Sequence, residues 1–287
     1  MECRIPVQIV RESTLRLSDE NTFGQRGLTP LSDRAWNLST AMFYKSGAKP
    51  WKLPDARPGV CYVGIAYKRT DDRSRTACSA AQMFLNDGDG IVFMGDTGPW
   101  YSPDTKQCHL TRDAARRLLK GVLETYEQEH GHTLTEVFLH CRSRIDEDEW
   151  KGFLEACPAG VKLVGIRVAP ESRGFRAYRT GTRSVVRGTF WPISKRVGYL
   201  WASGFKPALR TYDGFDVPEP LRIEIQHGDA ELLQVAKAIF ALTKLNYNAC
   251  KLGESQPVTV HFSDAVGEIL VANQGTKHFL PNFKYYV

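Results

Sequence analysis

Val60–Arg69 reads V-C-Y-V-G-I-A-Y-K-R and follows the turn signal Pro58-Gly59. This β-branched and aromatic run, nearly free of polar residues before Lys68, predicts a strand buried on both faces at the centre of an α/β sheet. Arg75–Leu85 and Gly90–Met94 continue it as a meander around the turn Asn86–Gly90. The spacing of Ala115, Leu118, Leu119, Val122 and Tyr126 predicts an amphipathic helix over Thr111–His130. A strand at Thr135–His140, a helix from Asp146 to Cys157 and a strand at Val161–Val168 come next. Further strands are expected at Val185–Phe190, Val197–Trp201, Leu221–Ile225 and Val258–Phe262, with a long helix over Asp229–Leu245.

Upstream, residues 1–30 read as an N-terminal arm, with alternation in Pro6–Val10. A first helix is expected to start at Thr29-Pro30-Leu31-Ser32, with Ser32 as N-cap and Asp33 in its first turn. It carries Ala35, Leu38, Met42 and Phe43 on one face and ends at Ser46-Gly47. Lys45 falls in its last turn, where the helix C-terminus favours a cation. The order β-β-β-α-β-α-β with a late helix predicts an α/β, RNase H-like fold, a mixed central sheet flanked by helices. A nuclease on that fold needs carboxylates in mid-strand 1, at the end of the fourth strand and on neighbouring elements. They hold two divalent metals about 4 Å apart, which activate water and steady the leaving oxygen.

Composition adds constraints. At 287 residues, 42% hydrophobic and 24% charged, the chain is an ordinary globular sequence with room for one large domain or two small ones. No apolar run reaches transmembrane length, and Met1–Gln8 has no signal-peptide core. Cysteines 3, 61, 78, 108, 141, 157 and 250 form no C-x-x-C pair, which predicts buried reduced thiols in a cytoplasmic protein rather than a zinc ribbon. The acids Asp146–Glu149 suit a helix N-terminus, and successive helical residues fan away from any common metal. Asp71, Asp72, Asp87 and Asp89 suit turns, and no histidine spacing or local Ser or Cys triad signature marks another catalytic centre.

The net charge of +6 is unevenly placed. Arg173–Arg210 carries +9 with no acid, leaving the remainder net −3. Arginines 173, 176, 179, 183 and 187 are candidate phosphate contacts, since guanidinium forks suit phosphate oxygens. The interleaved aromatics of Gly198–Phe205 read as core.

Several segments together resemble the PIWI domain of the short prokaryotic Argonautes: Q-I-V-R-E-S-T-L (8–15), A-W-N-L-S-T-A-M-F-Y-K-S-G-A-K-P-W (35–51), C-Y-V-G-I-A-Y (61–67), L-T-K-L-N-Y-N (242–248) and P-V-T-V-H-F (257–262). The resemblance assigns 31–287 to the PIWI domain and 1–30 to a remnant of the MID–PIWI linker. It implies that Lys45 contacts a guide 5′-phosphate, that Lys251 assists, and that the C-terminal carboxylate of Val287 helps hold a magnesium ion there. The rest of that pocket belongs to a MID domain, expected as a separate chain or lost by truncation. Departures from the family pattern imply loss of cleavage. Ala66 stands at the first catalytic Asp position, Cys141 near the second, and Asn246 or Asn248 at the last, while no Glu occurs from residue 21 to 123.

The expected function is therefore not enzymatic: a nuclease-dead PIWI domain holding a guide, RNA, on a target, DNA, in prokaryotic defence. An associated TIR, sirtuin-like or nuclease effector would supply any activity. A metal-dependent nuclease with displaced acids and a remnant interaction protein are the alternatives.

Overall fold

A computed structural model describes residues 5–15, 29–53, 57–69, 76–85, 90–94, 100–103, 107–130, 134–171, 174–247, 251–272 and 282–286. Arg173, Asn248, Val287, Cys3, Cys250, Asp71, Asp72, Asp87 and Asp89 lie outside them.

Strand β1 (Val60–Arg69) forms at the residues its pattern predicts. It pairs antiparallel with β2 (Thr76–Leu85), which pairs antiparallel with β3 (Gly90–Met94). A two-stranded hairpin, β4 (Trp100–Ser102) and β5 (Gln107–His109), stands apart from the main sheet. The helix α2 (Arg112–His130), strand β6 (Glu136–Cys141), helix α3 (Glu147–Ala156) and strand β7 (Lys162–Pro170) follow. β6 lies parallel to both β1 and β7, as β-α-β connections require. Then come β8 (Phe190–Pro192), β9 (Val197–Leu200), β10 (Leu221–His227), α4 (Leu232–Leu242) and α5 (Val258–Ala272), with α1 (Leu31–Lys45) at the start. The main sheet has eight strands in the order β3-β2-β1-β6-β7-β10-β9-β8. This is the mixed sheet flanked by helices that the element order implies.

Alternation along β1 and β6 divides the molecule. Cys61, Val63, Ile65, Val137, Leu139 and Cys141 face α2 and α3 in one core, with Leu118, Leu119, Val122 and Phe153. Val60, Phe138, Val164, Ile166, Ile223 and Ile225 face α4, with Val235 and Ile239, in a second. Each fully buried large side chain contributes about 1.5–3 kcal/mol.

Three expectations are corrected. Val258–Phe262 is the first turn and a half of α5, not a strand. The burial of Val258, Thr259, Phe262, Ser263 and Val266 at helical spacing overrides the β-branched composition. Val185–Phe190 is not a strand; β8 begins only at Phe190. Helix α1 starts at Leu31 with Pro30 in the cap position and no side-chain cap bond. Met42 and Phe43 on its expected inner face are 62% and 50% exposed, and Arg34, Thr40 and Ala41 are buried instead.

Candidate nucleic-acid interface

The register of β1 against β6 pairs Gly64 with His140 and Ile65 with Cys141. Ala66 follows Ile65 within β1, and Arg142 follows Cys141 just past the end of β6. The faces follow from contacts: His140 Nδ1 lies 2.9 Å from Thr259 Oγ1 on α5, and a Cβ on Gly64 would meet the Thr259 carbonyl at 1.8 Å. Gly64, Ala66, His140 and Arg142 therefore look toward α5, and Cys141 looks the opposite way into the α2/α3 core. Burial pushes the Cys141 thiol well up and the His140 imidazole down to about 3, so neither is an ionised ligand at neutral pH. Arg142 ion-pairs with Asp264 of α5 and donates to Gln256 Oε1 at 2.6 Å. Asn246 instead donates to Glu254 at 3.2 Å. Of the residues expected to mark the Ala66 corner, Cys141 is turned into the α2/α3 core and Asn246 is bonded to Glu254, while Arg142 pairs with Asp264 on the α5 side.

On the other face of the sheet, the turn after β6 is bound into a buried network. Glu149, at the third position of α3, is completely buried. Its Oε1 accepts from Tyr67 Oη at 2.5 Å and Leu110 N at 2.7 Å, and its Oε2 accepts from Asp146 N at 3.0 Å. His109 Nδ1 lies 3.1 Å from Oε2. Asp146 Oδ1 accepts from Glu149 N at 2.7 Å, completing a capping box. Burial raises the Glu149 carboxyl, and the hydrogen bonds pull it part of the way back. The four-acid run does cap α3, as its composition implies, but Asp146 and Glu149 do converge. With His109 their ligating atoms lie within 4.8 Å of one another, a candidate metal triad. Nothing in sequence spacing links His109 to this turn, because the β4–β5 hairpin that carries it falls in a stretch whose pattern reads as loop.

The arginines of the basic segment separate into different environments. Arg179 and Arg183 are exposed and lie over the Phe205 ring, 5.2 and 4.9 Å from its centroid. Arg183 also donates to the Arg210 carbonyl at 3.1 Å. Arg176 pairs with Glu219. Arg187 is turned inward, donating to Thr243 Oγ1 at 2.6 Å and lying 4.5 Å over Phe240. Lys45 donates to the Val7 carbonyl at 2.6 Å, and burial lowers its pKa. Lys251 lines a cavity of about 450 Å³ with Trp36, Trp51 and Lys244. Lys45, Lys251 and the Arg179–Arg183 pair thus each have their own described partners.

Sequence reasoning missed Arg144, Arg167 and Arg222. Burial in β10 alternates, with Leu221, Ile223 and Ile225 inward. Arg222 and Glu224 consequently share the opposite face, and Arg167 pairs in register with Glu224. Tyr199 stands beside Arg222 and stacks on Phe175 at 4.7 Å. The strand pattern L-R-I-E-I was the available signal.

No family model matches the chain, and no curated protein matches it in sequence. Solved structures do. Clostridium butyricum Argonaute bound to a guide DNA and a 19-mer target DNA superposes with a TM-score of 0.63 at 18% identity, over 82% of this chain and 30% of that one. Aa-Ago with externally bound siRNA gives 0.63 at 18% identity, over 90% and 34%. A. aeolicus Argonaute gives 0.60 at 17% identity, over 88% and 34%. The fold is that of an Argonaute PIWI domain. The chain spans about a third of the length of these Argonautes.

A PIWI fold implies divalent metals held by carboxylates at the Ala66 corner. The side chains there do not fit them: Ala66 offers only a methyl group, Arg142 is a cation, and the Asp264 carboxylate is taken by Arg142. The second PIWI cation, at a guide 5′-phosphate, was assigned to Val287, outside the described residues. Among the described residues, no helix is long and apolar enough to cross a membrane.

Proposed function

We propose that this chain is the duplex-holding part of an Argonaute-type protein and does not cut what it holds. One observation carries this reading. Ala66 and Arg142 each follow the last β1–β6 register pair, Ile65–Cys141, and Arg142 is paired with Asp264, so on this reading the corner holds a methyl group and a cation where metal-dependent cleavage would require carboxylates. Arg142, Arg144, Arg179 and Arg183 then give an exposed basic surface suited to backbone phosphates. A guide RNA on a DNA target is the duplex we assign to it, in guide-directed recognition of foreign nucleic acid in the prokaryotic cytoplasm. Guide anchoring at Lys45 would be completed by a MID domain, and any catalytic output would belong to a TIR, sirtuin-like or nuclease partner.

The His109–Asp146–Glu149 triad favours a second reading, a nuclease with displaced ligands. Its chemistry argues against it, since both Glu149 oxygens already serve protein donors. The two readings separate in one experiment. The protein is incubated with a labelled 20-nucleotide guide RNA–target DNA heteroduplex and either magnesium or manganese, with and without chelator. Salt-sensitive retention of an intact duplex is expected; cleavage that disappears on chelation would overturn the proposal.

A further inference from the structure

The turn after β6, Arg142-Ser143-Arg144, is held far more rigidly than an exposed connection requires. The Arg142 carbonyl accepts from Arg167 Nε at 3.0 Å. Arg144 N donates to Gln107 Oε1 at 2.8 Å, and Ile145 N donates to Gln226 Oε1 at 2.9 Å. The Ile145 carbonyl lies 2.9 Å from His227 Nε2, and Asp146 N is bound by Glu149. Supports from β5, β7, β10 and α3 thus converge on a turn of a few residues. They fix its backbone, while the side chains of Arg142 and Arg144 remain exposed.

Arg142 is itself oriented. Asp264 takes its Nη1 and Gln256 its Nη2, and a guanidinium has five N–H donors, so Nε–H and one N–H on each terminal nitrogen remain for a ligand. Burial lowers the Arg167 pKa, the neighbouring positive charges of Arg144 and Arg222 lower it further, and Glu224 and Glu171 oppose the depression. The surroundings hold the arginines 142, 144, 167 and 222, with Asp264, Glu224 and Glu171 as the nearby acids. A pre-oriented planar fork beside a second arginine recognises a tetrahedral oxyanion with two accessible oxygens, and in a duplex that is a phosphodiester.

We propose that Arg142 and Arg144 clamp one backbone phosphate of the bound duplex beside Ala66, with Arg167, Gln107, Gln226 and Glu149 as positioning residues. The cation that grips the backbone at this corner is then part of the protein rather than a metal. This inference rests on the duplex-holding function proposed above and adds where one phosphate is bound and by what.

The test is a charge scan. Heteroduplexes are prepared in which each target-strand phosphate in turn is replaced by a neutral methylphosphonate, and their dissociation constants are measured by fluorescence anisotropy in magnesium-free buffer. For the wild type, one position or two adjacent positions should weaken binding by about tenfold, the scale of a lost charge-assisted bidentate contact. In Arg142→Gln and in Arg144→Gln, binding of the unmodified duplex should weaken and the penalty at that position should shrink or vanish. Arg142→Lys should keep the charge and recover only part of the penalty, because an ammonium lacks the fork. Thermal melting of each variant checks the fold, and Arg144→Gln removes no described ion pair. A wild-type scan with a local penalty that both variants retain unchanged would overturn the clamp and leave the duplex-holding function standing. A wild type that retains no duplex at all would overturn both.

Discussion

Glu149 accepts two hydrogen bonds from backbone N–H donors, Leu110 N on one oxygen and Asp146 N on the other. A glutamine has one acceptor oxygen, so Glu149→Gln must turn its amide toward one of those donors. The variant should lose about 1–3 kcal/mol, the cost of an unsatisfied buried donor, measurable by urea unfolding. The carboxyl also carries a pH signature. Burial raises its folded pKa above the unfolded value of about 4.3, so the fold binds this proton more tightly than the unfolded chain does. Its stabilising contribution is then full below the ordinary carboxylate range and declines as pH rises through the raised value. Glu149→Gln should remove that decline; a pH–stability curve parallel to wild type across this window would show that Glu149 does not titrate there. Ala66 makes the converse case. Ala66→Asp should remain without magnesium- or manganese-dependent cleavage in a radiolabelled-duplex assay, because Cys141 and Asn246 supply no partner carboxylate and Asp264 is held by Arg142. Detectable products would mean that the loss of activity has been placed in the wrong residues.

At the scale of elements, the contact of α5 with β1 depends on Gly64. A Cβ there would lie 1.8 Å from the Thr259 carbonyl and 2.4 Å from Ser263 Oγ, and the backbone of α5 cannot yield without moving the helix. Gly64→Ala should therefore destabilise the fold by about 3 kcal/mol, the upper range for overpacking, and shift the urea midpoint downward. A near-neutral effect would mean α5 docks less closely than described. The same helix shows what the sequence conveyed poorly. Pro257-Val258-Thr259-Val260-His261-Phe262 has strand-like composition, and only the continued spacing through Ser263 and Val266 marks the buried face of a helix. Helix α2 was legible because its apolar positions are unambiguous; Ala115, Leu118, Leu119, Val122 and Tyr126 are all buried. Helix α1 was legible in its bounds but not in its inner face, because that face includes an arginine. Arg34 is buried by donating to the Thr29 carbonyl at 2.9 Å and to those of Ser13 and Thr14. The missing mid-strand acid of β1 could be read from the chain, but the pairing of Arg142 with Asp264 joins the end of β6 to α5, a long-range contact that local pattern does not contain.

Across the whole molecule, the basic composition of 173–210 hides two populations of arginine that salt and heat should separate. Arg179 and Arg183 are exposed, and the Phe205 face holds both guanidinium groups without using their outward donors. With Arg142 and Arg144 they make four candidate phosphate contacts, which predicts a slope of log K against log salt of about −4 on a duplex. The double change Arg179→Glu and Arg183→Glu should lower that slope in magnitude by about two and weaken binding whatever the sequence, with little change in melting temperature. Arg187 should behave oppositely. Its guanidinium is committed to Thr243 and the Phe240 ring, and burial lowers its pKa, so Arg187→Ala leaves a gap between the loop before β8 and the C-terminal end of α4. That variant should lose about 1–3 kcal/mol of stability through packing and a buried hydrogen bond. Where it remains folded, its salt slope should match wild type. A slope reduced by Arg187→Ala, together with one unaffected by the Arg179 and Arg183 changes, would mean that the duplex approaches the α4 side of the sheet rather than the Phe205 loop.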